Sequence, residues 1–239
     1  NVLIYRLPLE ISIINPKRSH CPNCNHQIKW YENIPLFSYI FLKGKCSACK
    51  THISITYPIV ELISGVITLM LFLHFELTND FLIMLILFYN LIVLSFIDFN
   101  YKAVPDYLLL SALLIAFITV GFDFNSALLF AGGFILLEFF ITFYIQNIKA
   151  RITQDESLKE QKALGEGDIP IVAIIGGILG VKLGLIAIFL SAFFAILPAL
   201  YMQITKKEIE TPFIPFLTLG LFMAFFFSNE LIKFVSWVA

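Results

Sequence analysis

Charge is scarce in this sequence. Asp, Glu, Lys and Arg make up 14% of its 239 residues, against roughly 25% in soluble domains. A water-soluble globule of this length needs polar cover for its surface, and this chain cannot supply it. Neither sign dominates: the net charge is −1 and the isoelectric point lies near 6.5, which argues against nucleic acid as a partner. Missing motifs narrow the chemistry further. There is no His-Glu-x-x-His, and the four histidines are scattered, so a zincin metalloprotease is excluded. A Gly-x-Ser-x-Gly element with a matching histidine is also missing, which removes a serine hydrolase of that type. What abounds instead is apolar: 59% hydrophobic residues, 26 phenylalanines and a mean hydropathy of +0.88. Disordered chains are poor in such residues. The composition is that of an all-α polytopic membrane protein lying in a lipid bilayer.

A helix needs about 20 mostly apolar residues to cross about 30 Å of hydrocarbon. Apolar runs near 58–75, 81–97, 107–121, 126–147, 169–181, 184–204 and 212–228 predict seven spans. The opening residues, Asn1 to Leu7, read as the tail of another apolar segment, so an eighth helix truncated at the amino terminus is expected. Three parts follow: 1–14 as the end of that helix, 15–56 as a polar loop, and 57–239 as the membrane domain. With the polar loop in the cytoplasm and seven alternating spans, all of the 16 lysines and arginines fall on the cytoplasmic side except Lys182 and Lys233. That is a strong positive-inside bias.

The polar loop carries all four cysteines, as Cys21-Pro22-Asn23-Cys24 and Cys46-Ser47-Ala48-Cys49. Two C-x-x-C hooks at this separation follow the spacing of a zinc ribbon, in which four thiolates close a tetrahedral site. Disulfides are the competing reading, but a cytoplasmic loop is reducing. Structural Zn2+ on Cys21, Cys24, Cys46 and Cys49 is therefore expected, with no open position for catalysis. His20, His26 and His52 beside the hooks read as solvated loop residues.

Acidic residues in or beside spans are costly and often functional. Asp98 ends the span 81–97, and Asp168 opens the next-but-two span in Gly165-Glu166-Gly167-Asp168. The topology brings both to one depth at the cytoplasmic face, where a carboxylate pair can work as acid and base. Gly165 and Gly167 allow close approach of an extended substrate backbone. The plainer reading is a glycine-rich turn into a helix. Three further acids are weighed as substrate-binding or structural: Glu61 one turn into its span, Asp106 as a helix cap, and Glu138 in mid-span. Helix dipoles predict Asp98, in a last turn, as the protonated member and Asp168, at a helix start, as the base. Gly176, Gly177 and Gly180 read as a helix-packing face.

Taken together, these residues resemble the type IV prepilin peptidases, bacterial membrane aspartic peptidases. The likeness runs from Asn1-Val2-Leu3-Ile4-Tyr5-Arg6-Leu7-Pro8 through both cysteine hooks, with Asn33-Ile34-Pro35-Leu36-Phe37-Ser38-Tyr39 between them. It continues through Tyr57-Pro58-Ile59-Val60-Glu61, Ile97-Asp98 to Pro105-Asp106, and Gly165-Glu166-Gly167-Asp168. The resemblance implies removal of a short basic leader from type IV prepilins or pseudopilins at the cytoplasmic face of the inner membrane. It maps the two essential aspartates onto Asp98 and Asp168. It also implies methylation of the new amino terminus with S-adenosylmethionine, an activity associated with the region of the cysteine loop. The chain departs from the family at Pro170, where a Lys is common, and at Ile214-Pro215, where Gly-Pro is common. A proton-coupled transporter and a non-enzymatic membrane scaffold are the rival readings.

Overall fold

Apolar runs with no water beside them must satisfy their own backbone, and a helix does so within one segment. A computed structural model describes residues 1–14, 19–154, 156–159, 165–204 and 211–238. Among the described residues there is no β-strand, only two isolated bridges in the cysteine loop. Short helices α1 (Val2–Arg6) and α2 (Phe37–Phe41) precede α3 (Thr56–Phe75), α4 (Asn79–Tyr101), α5 (Asp106–Phe117) and α6 (Phe124–Phe143). A π-helical stretch, Tyr144–Lys149, carries α6 into α7 (Ala150–Thr153). Then come α8 (Asp168–Ile204), α9 (Ile214–Phe226) and α10 (Ser228–Val238).

The all-helical expectation holds among the described residues, but the count of seven spans is not reproduced. Among the described residues, four helical stretches are long and apolar enough to cross a membrane, and α9 with α10, bent by 90°, makes up to five. Two local causes account for the difference. The run near 107–121 yields only the 12 residues of α5, about 18 Å at 1.5 Å per residue. The runs 169–181 and 184–204 lie on two helical limbs that meet end to end at Gly180, whose φ of 68° and ψ of −175° are not helical. Gly180 is thus a hinge point and not part of a packing face, since a side chain there would meet open space.

The chain divides into two compact units, Asn1–Val93 and Leu94–Ala239, with α4 running across the division. In the first unit the cysteine loop and α3 are joined at Glu61, whose Oε2 accepts the Leu36 amide at 2.9 Å. In the second, α8 is central and packs against α5, α6 and α9. Its first limb buries Ile171, Val172, Ile174 and Ile175 completely, and α9 buries Leu217, Leu221 and Ala224. Lipid is as apolar as these side chains, so close packing and not water exclusion holds the helices together. Small residues make that possible. A Cβ on Gly176 would come within 2.8 Å of the Phe130 ring of α6, and one on Gly220 would collide with Ser191 and the Ala187 carbonyl of α8. The outer faces are apolar and open, as with Leu128, Phe139 and Phe140 of α6.

Candidate active site

Asp98 and Asp168 are the only buried acids among the described residues, 8% and 6% exposed. Asp98 stands in the last turn of α4, just after the fully buried Ile97. The turn closes with Lys102 donating its amide to the Asp98 carbonyl at 2.8 Å and adopting a left-handed φ of 53°. Opposite stands the start of α9. Pro215 occupies its second position, where a missing N–H costs nothing. The Ile214 amide, unsatisfied within its own helix, donates to Asp98 Oδ2 at 3.2 Å.

Asp168 is the first residue of α8, and its amide closes a tight turn onto the Gly165 carbonyl at 3.1 Å. Both glycines have a visible reason. A Cβ on Gly165 would lie 3.3 Å from Asp168 Oδ2, and one on Gly167 would press to 3.0 Å from Val104 of the α4–α5 connection. A Cβ on Gly167, next to Asp168, would also lie 3.6 Å from Ile214, whose amide binds Asp98, so both aspartates border the start of α9.

This geometry revises the helix-dipole argument. Asp98 faces the negative end of its own α4 and the positive end of α9 together, so dipoles alone do not assign the proton. Sequence reasoning overlooked the Ile214 amide. Pro215 signals a helix start, but nothing local says that this start meets Asp98. Nor did it find Ser95 and Thr218, buried hydroxyls of α4 and α9 that bond at 2.9 Å one turn from the Asp98–Ile214 contact.

The other acids separate into different surroundings. Glu61 anchors the loop at Leu36. Asp106 opens α5 but makes no side-chain cap; it lines an open hollow of about 230 Å³ with Leu109, Leu110, Leu113, Glu166, Gly167 and Pro170. Glu138, half-exposed in α6, has no hydrogen-bond or ion-pair partner among the described residues.

The cysteine hooks form two matching knuckles. In each, the first cysteine's amide bonds forward, Cys21 to the His26 carbonyl and Cys46 to the Thr51 carbonyl, both at 2.9 Å. In each, the residue after the second cysteine is left-handed: Asn25 at φ 55° and Lys50 at φ 61°. The four Sγ atoms lie within 4.8 Å of one another. Cys21 and Cys49 sulfurs are 3.8 Å apart and those of Cys24 and Cys46 are 4.0 Å apart. A disulfide measures about 2.05 Å, whereas the edge of a tetrahedron with zinc–sulfur bonds of about 2.3 Å is about 3.8 Å. The donor set fits zinc. The Thr51 hydroxyl, its amide and the Asn23 amide hold the Cys49 thiol down to about 5. Despite the His26 amide, desolvation and the neighbouring sulfurs push Cys24 up to about 11. The three nearby histidines take no part in the sulfur cluster.

Fold and site together define a polytopic helical membrane protein with a buried aspartate pair at helix ends and a separate four-thiol cluster. Comparison with known proteins then places it. Residues 1–75 match the bacterial peptidase A24 N-terminal domain, and residues 85–200 match the type IV leader peptidase family. The chain is 31% identical to a prepilin leader peptidase/N-methyltransferase of Legionella pneumophila, over 98% of this chain and 88% of that one. It is 32% identical to one of Vibrio cholerae, over 95% and 90% of the two chains, and 31% identical to one of Pseudomonas aeruginosa, over 90% and 73%. No solved structure matches. The chain belongs to the type IV leader peptidase family, whose members are prepilin peptidases and N-methyltransferases.

Proposed function

We propose that this protein cuts the basic leader from type IV prepilins or pseudopilins by aspartic catalysis at the cytoplasmic face of a bacterial inner membrane. The observation that carries the reading is the buried Asp98–Asp168 pair, supported by the family. Two such carboxyls share one proton, because double ionisation at short range is disfavoured. The ionised member takes a proton from water as its oxygen attacks the scissile carbonyl carbon. The protonated member donates to the carbonyl oxygen, and collapse of the tetrahedral species expels the amine, protonated from the pair. The Ile214 amide holds Asp98 in place throughout. The membrane domain, 57–239, supplies these parts.

The same reading gives the 15–56 loop a structural zinc ion on Cys21, Cys24, Cys46 and Cys49, which supplies folding energy and no open coordination position. The methyl for the new amino terminus comes from S-adenosylmethionine, by analogy with the relatives' names. No residue is assigned to that donor, since the described residues contain no strand–turn–helix nucleotide loop.

The deciding experiment is cleavage of a prepilin precursor in membranes, read by product mass. Asp98→Asn and Asp168→Asn should each lower cleavage by at least about 100-fold, the usual weight of a general acid or base. Activity surviving either substitution would overturn the aspartic mechanism. A product heavier by one methyl identifies the second activity.

A further inference from the structure

The two cysteine knuckles share a backbone pattern but not their side chains. The residue before the closing cysteine is Asn23 in one and Ala48 in the other, and two residues after it stand His26 and Thr51. These differences bring polar side chains to one sulfur. Thr51 Oγ1 lies 3.1 Å from Cys49 Sγ. Asn23 Nδ2 reaches across from the other knuckle, to Thr51 Oγ1 at 2.8 Å and to Cys49 Sγ at 3.7 Å. Chemistry fixes the direction of these bonds. A side-chain amide nitrogen can only donate and a metal-bound thiolate can only accept, so the threonine between them accepts from Asn23 and donates to Cys49. The Thr51 amide adds a further donor. Cys24 is the opposite case. Ala48 has no donor to offer it, and the His26 ring lies 3.4 Å from Glu32. The partners of Cys24 among the described residues are the His26 amide and the other cysteines. It is exposed, whereas Cys21, Cys46 and Cys49 are buried or half-buried.

Four thiolates around one divalent ion carry more negative charge than the ion offsets. Donors aimed at a coordinated atom spread that charge and fix the direction of the ligand, and their loss weakens metal binding. We infer that Asn23 and Thr51 form an outer clasp that holds Cys49 on the metal, so that the four sulfurs are unequal and Cys24 is the ligand that lets go first. The inference rests on the structural zinc proposed above and adds to it the residues that set the order of release. Asn23 and Thr51 are positioning residues: they touch the sulfur and not the ion. Because Asn23 belongs to the first knuckle and Cys49 to the second, the clasp also ties the two halves of the site together.

Zinc affinity and cysteine reactivity test the clasp together. Full-length protein in detergent is loaded with Zn2+ and titrated with a competing chelator. A limiting amount of N-ethylmaleimide then marks the sulfurs of the loaded protein, read by peptide mass. In the parent protein Cys24 should be alkylated before Cys49. Thr51→Val and Asn23→Ala should each weaken zinc binding about ten- to a hundred-fold and raise the reactivity of Cys49 to that of Cys24, while Thr51→Ser keeps both parental values. Unchanged affinity in either variant, or alkylation of Cys49 ahead of Cys24 in the parent, would overturn the clasp. Weaker binding with the order of alkylation kept would overturn it too, since a role in folding the knuckle alone does that. Failure of the zinc reading shows up separately: a parent protein that takes up no Zn2+ refutes it before any variant is compared, and removes the clasp with it.

Discussion

Glu61 stands one turn into α3, where a carboxylate near a membrane needs a reason to be kept. Its Oε2 takes the amide of Leu36, and its Oε1 lies 3.5 Å from the Asn1 amide group. Leu36 follows Pro35 and has a φ of 61° and a ψ of −47°, the strained γ-turn that the Phe37 amide closes onto the Pro35 carbonyl at 2.6 Å. The carboxylate thus holds a strained turn between the two cysteine hooks. Glu61→Gln keeps an acceptor oxygen and should leave stability close to the parent. Glu61→Ala leaves the amide without a protein partner and should cost on the order of 1–2 kcal/mol. Thermal unfolding and limited proteolysis of the loop check both, and equal behaviour of the Gln and Ala variants would sink the assignment. Sequence position alone marked Glu61 as unusual. That its partner is a backbone amide 25 residues away could not be read there, because the Leu36 turn is visible only once the loop is folded.

At the scale of elements, α4 and α9 meet in two rungs: Asp98 with the Ile214 amide, and Ser95 with Thr218. Ser95 lies three residues before Asp98 and Thr218 four after Ile214, so each pair shares a helix face. The hydroxyl rung fixes the register that aims the α9 amide at the carboxylate. Interhelical hydrogen bonds of this kind are worth about 0.6–1.7 kcal/mol. Thr218→Val, which keeps shape and removes the hydroxyl, should therefore lower kcat by at most about three- to twenty-fold with KM little changed, while Thr218→Ser restores the rate. A fall in stability with kcat intact in Thr218→Val would assign the pair to packing alone. The long apolar runs of α3, α4 and α6 were legible because hydropathy sets them directly. The seven-span count is not confirmed, since hydropathy shows neither how the two limbs of α8 meet at Gly180 nor that the run after Asp106 stays helical for only 12 residues.

On the scale of the whole molecule, the two chemistries are separated along the chain. The sulfur cluster belongs to the Asn1–Val93 unit, and both aspartates belong to Leu94–Ala239. The spacing of the cysteines made the sulfur cluster readable in advance, and the Gly-x-Gly-Asp turn drew attention to Asp168, because each signal is local in the sequence. What surrounds Asp98 depends on α9, over a hundred residues on, and lay beyond such reading. The separation has a consequence for metal removal. The knuckles have few buried side chains beyond Cys21 and Cys46, so a bound ion would supply much of the loop's folding energy. Purified protein should contain one zinc per chain, lost in Cys24→Ser and Cys49→Ser. Chelation should open Lys29, Lys43, Lys45 and Lys50 to trypsin while prepilin cleavage continues at an unchanged rate, because four thiolates leave no coordination position open for catalysis. Mass spectrometry of the fragments and a parallel cleavage assay read the two effects together. Zinc-free protein with a protected loop would remove the metal from the fold. Cleavage that stops on chelation and returns with zinc would instead tie the metal to the reaction, and a purely structural role for the ion would be overturned.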